Sequence, residues 1–226
     1  MAGCSTTQQE AARLQLNDAR IRASQDSTRV AAGARMSAIV TPGAITLLRT
    51  AAGTAFVVLV HNSGREPVSD LPVSAGYRDR GRVVYLNAAA GADYFETHLP
   101  PIGAHRSIAW VYRTERSLPA SARPFVRIGA RRAADPGELA TPPAIGASAL
   151  RLSGDRLTVA LRNRTAIPQY QLPVYATARR RGRYVAAGAA TVAHLGSGAA
   201  QTLHVTLVGT VGSARLVIEA PPTIFR

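Results

Sequence analysis

Chemistry in this chain would have to come from few groups. Five histidines and thirteen carboxylates serve 226 residues, and beyond residue 139 only Asp155 and Glu219 are acidic. No His-Glu-x-x-His, Cys-x-x-Cys or Gly-x-Ser-x-Gly pattern occurs, nor a phosphate-cradling glycine loop before a helix. Neither a cofactor nor a metal is expected. His98 and His194 each precede a leucine at matched places in two similar stretches of chain. A catalytic histidine needs a base, an acid or a metal beside it, and no such partner travels with both. A structural role at a strand end is the expectation. Asp70 and Asp79 read as turn residues rather than metal ligands, because Gln171 and Arg180 stand at the corresponding places. Cys4, the sole cysteine, would need a histidine held in a fixed frame to act as a nucleophile. What remains is cationic. Arg179, Arg180, Arg181 and Arg183 crowd one segment beside Tyr184, with Arg162 and Arg164 a little upstream. Such a cluster suits an anionic polymer or a lipid headgroup. Nucleic acid fits less well, since aromatics are only 5% of the chain and no recognition helix is evident. A merely solvated turn is the alternative reading.

These side chains are positioned by an internal repeat. Val60 to Val84 aligns without a gap on Leu161 to Val185, with eleven of twenty-five positions identical. The identities include Asn62/Asn163, Pro67/Pro168, Leu71-Pro72-Val73/Leu172-Pro173-Val174 and Gly81-Arg82/Gly182-Arg183. A period of 101 residues is too long for a solenoid unit and matches a small domain. The offset shrinks to 96 at His98/His194 and to 92 at Ser121/Ser213, so the second copy has shorter connections. Length changes of that kind belong in surface loops.

Alternating patterns give the expected elements. Ile45 and Leu47 lie in a first strand, and Phe56, Val58 and Val60 share a face in the second. Leu157, Val159 and Leu161 keep that face in the second copy, which identifies it as the core side. Further strands are expected at Leu71 to Tyr77, Arg82 to Leu86, Ser107 to Arg113 and Phe125 to Ile128. Their counterparts are Leu172 to Ala178, Arg183 to Ala187, Thr202 to Val208 and Leu216 to Ile218. Arg78-Asp79-Arg80-Gly81 reads as a tight hairpin, and the second copy likewise closes its strand with an arginine-rich turn ending in Gly182. Asn163-Arg164-Thr165 matches a glycosylation sequon, but Asn62 lacks one at the same place, so a structural asparagine closing a strand end explains both. Short strands with turn signals about every eight to twelve residues imply an all-β chain of two antiparallel sandwiches. The expected division is a tether over 1–36, repeat 1 over 37–135, a Pro/Ala-rich linker over 136–146 and repeat 2 over 147–226.

The N-terminal stretch carries its own signals. Ala2-Gly3-Cys4-Ser5 resembles the end of a bacterial lipoprotein signal peptide, with Met1 where that pattern has leucine. The resemblance implies lipidation of Cys4, with the charged and apolar parts of the signal lying upstream of Met1. Thr7 and Glu10 form a capping-box pattern, and the following residues are expected to be partly helical, a tether or a short coil for a partner. No run of eighteen apolar residues is present.

All 27 basic residues are arginine, and the net charge of +14 is uneven, about +8 of it falling after residue 138. Such a balance draws a protein toward anionic surfaces without specifying a fold.

Asn62, the proline and strand that follow, Tyr77-Arg78-Asp79-Arg80-Gly81, and the later Leu99-Pro100-Pro101-Ile102-Gly103 together resemble the FxLYD-type domain. That family implies an immunoglobulin-like sandwich of prokaryotic envelope proteins, often lipid-anchored and without assigned chemistry. The second copy has Ala178-Arg179-Arg180-Arg181-Gly182 and joins the resemblance only through the repeat. Three classes of function follow. The first is a non-enzymatic, extracytoplasmic protein, lipid-anchored through Cys4, with a structural role or an envelope-protein partner. The second is a module binding anionic polymer, lipid headgroups or nucleic acid through the arginine hairpin. The third is an enzyme, which the residues favour least. A cytoplasmic chain with a chance cysteine is the alternative address.

Overall fold

The computed structural model describes residues 36–130, except 52, 70 and 88–96, and residues 145–223. The tether and Cys4 lie outside the described residues, as do Asp70 and most of the linker. Everything regular in the described part is β-strand. In the N-terminal half, β1 (Val40–Thr50), β2 (Gly53–Asn62), β3 (Leu71–Asp79), β4 (Arg82–Tyr85), β5 (His98–Leu99), β6 (Ser107–Thr114) and β7 (Arg123–Ile128) form two antiparallel sheets. One has the order β1-β2-β6. The other centres on β3, flanked by β4 and β5 on one edge and β7 on the other.

The C-terminal half repeats the plan with β8 (Ile145–Ser153), β9 (Arg156–Asn163), β10 (Gln169–Arg180), β11 (Arg183–Leu195), β12 (Ala200–Thr206), β13 (Val208–Gly209) and β14 (Arg215–Glu219). Its sheets are β12-β9-β8 and β13-β11-β10-β14. The β8 strand begins at Ile145, two residues before the expected start of repeat 2, and the strand expected to reach Val208 breaks at Leu207.

Sandwich-like cores follow from alternation. Val58, Val60, Val73, Ala75 and Ile128 are buried together in the first half, and Leu157, Val159, Leu161, Val174, Ala176 and Val205 in the second. Phe56, one position before the Val57–Val58 pair, packs with Leu118 and Ala122 and meets Tyr112 edge-on.

The hairpin turns have the same form in both copies. Asp79 pairs with Arg82 and Arg180 with Arg183, leaving two-residue turns. Both turn residues have positive φ, 46° and 79° for Arg80 and Gly81, 50° and 80° for Arg181 and Gly182. That is the geometry whose twist suits a two-residue hairpin, and it explains the repeated glycine.

Where the copies differ, length is the reason. The second copy has no insertion between its hairpin and His194, so β11 runs unbroken for 13 residues. In the first copy β4 stops after four residues. There the side chain of Asn87 takes over the ladder, accepting from the Ala75 N–H at 2.8 Å and donating to the Val73 carbonyl at 2.6 Å. An asparagine amide can stand in for a peptide group in this way.

The two halves pack on each other through unlike sheets. Register places Ala55 and Val57 on the outer side of β2 and Ala109 and Val111 on the same side of β6, Val57 opposite Val111 and Ala109 opposite Leu59. Ala55, Val57, Ala109 and Val111 are buried, Val57 completely. Tyr175, Ala187 and Val208 from the outer side of the β13-β11-β10 sheet join the same buried cluster. Burying a valine fully stabilises by about 1.5–3 kcal/mol, so this apolar seam binds the halves firmly.

Candidate functional site

The expected anion-binding arginines do not converge. Arg162 and Arg164 lie at the Asn163 end of the C-terminal half, whereas Arg179, Arg180, Arg181 and Arg183 lie at the β10–β11 hairpin. The twelve residues of β10 separate the two groups, roughly 36–40 Å at the usual rise of a strand. All six are exposed. The hairpin cluster alone remains as a site.

Within it, Arg179 is held in place. Its guanidinium donates to the Gly182 carbonyl at 3.0 Å and lies 4.9 Å from the centre of the Tyr184 ring. A bulge after Ala178 puts Arg179 opposite Tyr184 rather than one residue further on, which aligns cation and ring. Burial raises the Tyr184 hydroxyl above its ordinary pKa, the Arg179 charge opposes that shift, and Glu219 reinforces it.

The hairpin does not stand alone. Arg179, Gly182, Arg183 and Tyr184 form one wall of an open pocket of about 430 Å³, and Gly43, Ala44, Thr46 and Leu59 of the N-terminal half form the other. β1 bulges between Pro42 and Ile45, beside this wall. Leu59 remains 46% exposed because it faces this opening.

A second, more polar cleft of about 410 Å³ lies along the seam, lined in part by Arg106, Ser107, Ile145, Ala147 and Glu219. Beside it Trp110 and Tyr175 are buried in one cluster that spans the halves, and Glu219 lies near the Ala109 backbone. Burial holds the Tyr175 hydroxyl well above its usual range, with the nearby Glu219 charge adding to the effect and the neighbouring Trp110 indole opposing it. Glu219 is likewise raised by burial, against the pull of the Ala109 N–H.

The other residues noted in the sequence have local partners. Asp79 accepts from the Ser121 hydroxyl at 2.6 Å. His194 is the cross-strand neighbour of Tyr170, their rings stacked at 4.6 Å. Asn62 and Asn163 are completely buried. Each side-chain amide donates to carbonyls of two separate loops, Glu66, Ile102 and Gly103 for Asn62, Ile167, Leu195 and Gly196 for Asn163. The sequon asparagine is therefore a fastener inside the fold. Among the described residues no three His, Cys, Asp or Glu side chains cluster as metal ligands do.

Sequence reasoning missed the seam. Its signal was present in Ala55 to Val60, which is apolar at every position while Arg156 to Leu161 alternates. A strand apolar on both sides is one buried on both sides. The chain matches no known family model, and no curated protein is significantly similar to it.

Proposed function

We propose that this protein is a non-enzymatic module of the cell envelope, built of two tandem immunoglobulin-like sandwiches of the FxLYD type. Residues 37–135 and 147–226 are the sandwiches, and residues 1–36 tether them to a membrane through lipid on Cys4. Its role is structural or in protein interaction. The observation that carries this reading is the use made of its recurring polar residues. Asn62 and Asn163 tie loops to strand ends, and Trp110 and Tyr175 are buried in one cluster that spans the halves. These groups serve cohesion, as expected of a spacer or docking body.

The test is made on native protein from the full gene. Partition into detergent, acyl mass on Cys4 and release of a soluble form by Cys4→Ser are the expected results. A single acyl chain gives only marginal membrane binding, so more than one is expected. Unmodified native protein in the cytosol would refute the address.

A second reading, that the β10–β11 hairpin binds an anion, is favoured by one observation. Arg180, Arg181 and Arg183 are exposed and have no acidic partner among the described residues. Its signature is binding to anionic vesicles that weakens steeply as salt screens the charges.

A further inference from the structure

We infer that the pocket between the β10–β11 hairpin and the β1 bulge is a binding site for a phosphate group carried on a small apolar or aromatic body. This rests on the second reading above and sharpens it from a charged surface to a defined cavity.

The walls have two characters. Arg179 and Arg183 supply guanidinium groups on one side, while Leu59, Ala44 and the Tyr184 ring supply apolar surface. Among the described residues no acidic side chain lines the pocket. A volume of about 430 Å³ falls within the range of small-molecule sites, though the pocket is open on one side. Arg179 is already oriented by Gly182 and Tyr184, so little freedom is lost when its remaining N–H groups meet a ligand. A guanidinium fork matches the oxygen spacing of a phosphate, and two forks favour a doubly charged group.

The repeat argues that this is a built feature. The first-copy hairpin carries Arg78 and Arg82 at the places of Arg179 and Arg183, but Val83 at that of Tyr184 and Asp79 at that of Arg180. Arg78 lies over Phe125 at 5.5 Å, and Val83 is exposed. The pocket lies where the second hairpin meets β1, so both halves contribute to it.

The test uses the full chain and titration calorimetry with phenyl phosphate, inorganic phosphate and vesicles containing phosphatidylglycerol. Phenyl phosphate is expected to bind at least about tenfold tighter than inorganic phosphate, the ratio that burial of part of the ring would give. Arg183→Ala should weaken phenyl phosphate binding about tenfold, the loss of one charge-assisted contact. Thr46→Trp, which fills the pocket without touching an arginine, should abolish it. Arg180→Ala and Arg181→Ala, whose side chains do not line the pocket, should change it by less than about twofold. Vesicle binding that follows the same pattern would identify the source as a lipid headgroup, and binding of the soluble ester alone would identify a free metabolite-sized phosphate. Equal weakening by all three arginine variants, with Thr46→Trp without effect, would overturn the pocket and leave the charged-surface reading standing. Absence of binding by every probe would overturn both.

Discussion

Replacing Asn163 by aspartate exchanges an NH₂ for an oxygen and almost nothing in shape, which makes it a sharp test of the loop fastener. The amide donates to the Ile167 carbonyl at 2.8 Å, to Gly196 at 3.1 Å and to Leu195 at 3.4 Å. Its oxygen accepts from the Thr165 N–H at 3.0 Å and the Thr165 hydroxyl at 2.8 Å. Asn163→Ala removes all of these, leaving two well-placed carbonyls and one N–H short of a partner. At about 1–3 kcal/mol for each unpaired buried group, and with water able to reach the half-buried loop, a loss of about 2–4 kcal/mol is expected. Asn163→Asp keeps the accepting side but points a carboxylate at three carbonyl oxygens. At neutral pH it should cost about 3–5 kcal/mol, the range for an uncompensated buried charge.

The sign of the pH effect separates the two variants. The introduced carboxyl would have its folded-state pKa raised by burial and by the facing carbonyls. The folded state then holds its proton at pH values where the unfolded state has released it. Stability of Asn163→Asp should therefore fall as pH rises from the unfolded carboxyl value through the folded one, and recover on acidification. Relative to wild type, Asn163→Ala should show no such slope. Urea unfolding of the full chain, followed by circular dichroism between pH 4 and pH 8, measures both. The reasoning fails if Asn163→Asp lies within about 0.5 kcal/mol of wild type at neutral pH, or if its deficit does not change with pH. Asn62→Asp, with donors at 2.8 and 3.0 Å to Glu66 and Gly103, repeats the experiment in the other half.

Two further outcomes follow from the seam. Val57→Asp should cost about 3–5 kcal/mol and shift the emission of Trp110, the sole tryptophan, because it places a charge between the halves. Thr158→Asp at the equivalent outer position should stay within about 0.5 kcal/mol, and equal effects from the two in urea unfolding would contradict the docking. The raised pKa of Glu219 means that the folded state binds its proton more readily than the unfolded chain. Wild-type stability should thus decline as pH rises from the ordinary value of 4.5 through the raised folded one. Glu219→Gln should flatten that part of a melting-temperature profile against pH, and an unchanged slope would remove Glu219 as its cause.

Strands and hairpins were legible because their causes are local. Alternation at Leu157, Val159 and Leu161 and the Arg-Gly turns act over a few residues, and the repeat supplied each reading twice. Asn62 and Asn163 were legible as structural for the same reason, since only one of them carries a sequon. Asn87 was not, because its partners are set by a strand that ends early in one copy alone. Arg162 and Arg164 seemed close to the hairpin because sequence distance ignores the length of β10. The pocket depends on Leu59 and Tyr184 meeting across 125 residues, and no local pattern encodes such a meeting.

The seam joins the outer face of one kind of sheet to the outer face of the other kind, and a contact between unlike surfaces has no built-in end. Chains that present both surfaces can add neighbours without limit and grow into fibres. In this chain the corresponding outer positions of the second copy differ in chemistry. Where the first copy offers Ala55, Val57, Ala109 and Val111, the second offers Arg156, Thr158, Thr202 and His204. At the opposite end, Tyr85 and Phe125 meet edge to face over Gly76 and cover the surface that would receive a preceding unit. The seam is thus a head-to-tail contact made between the two halves of one chain, with faces of different chemistry on either side of it.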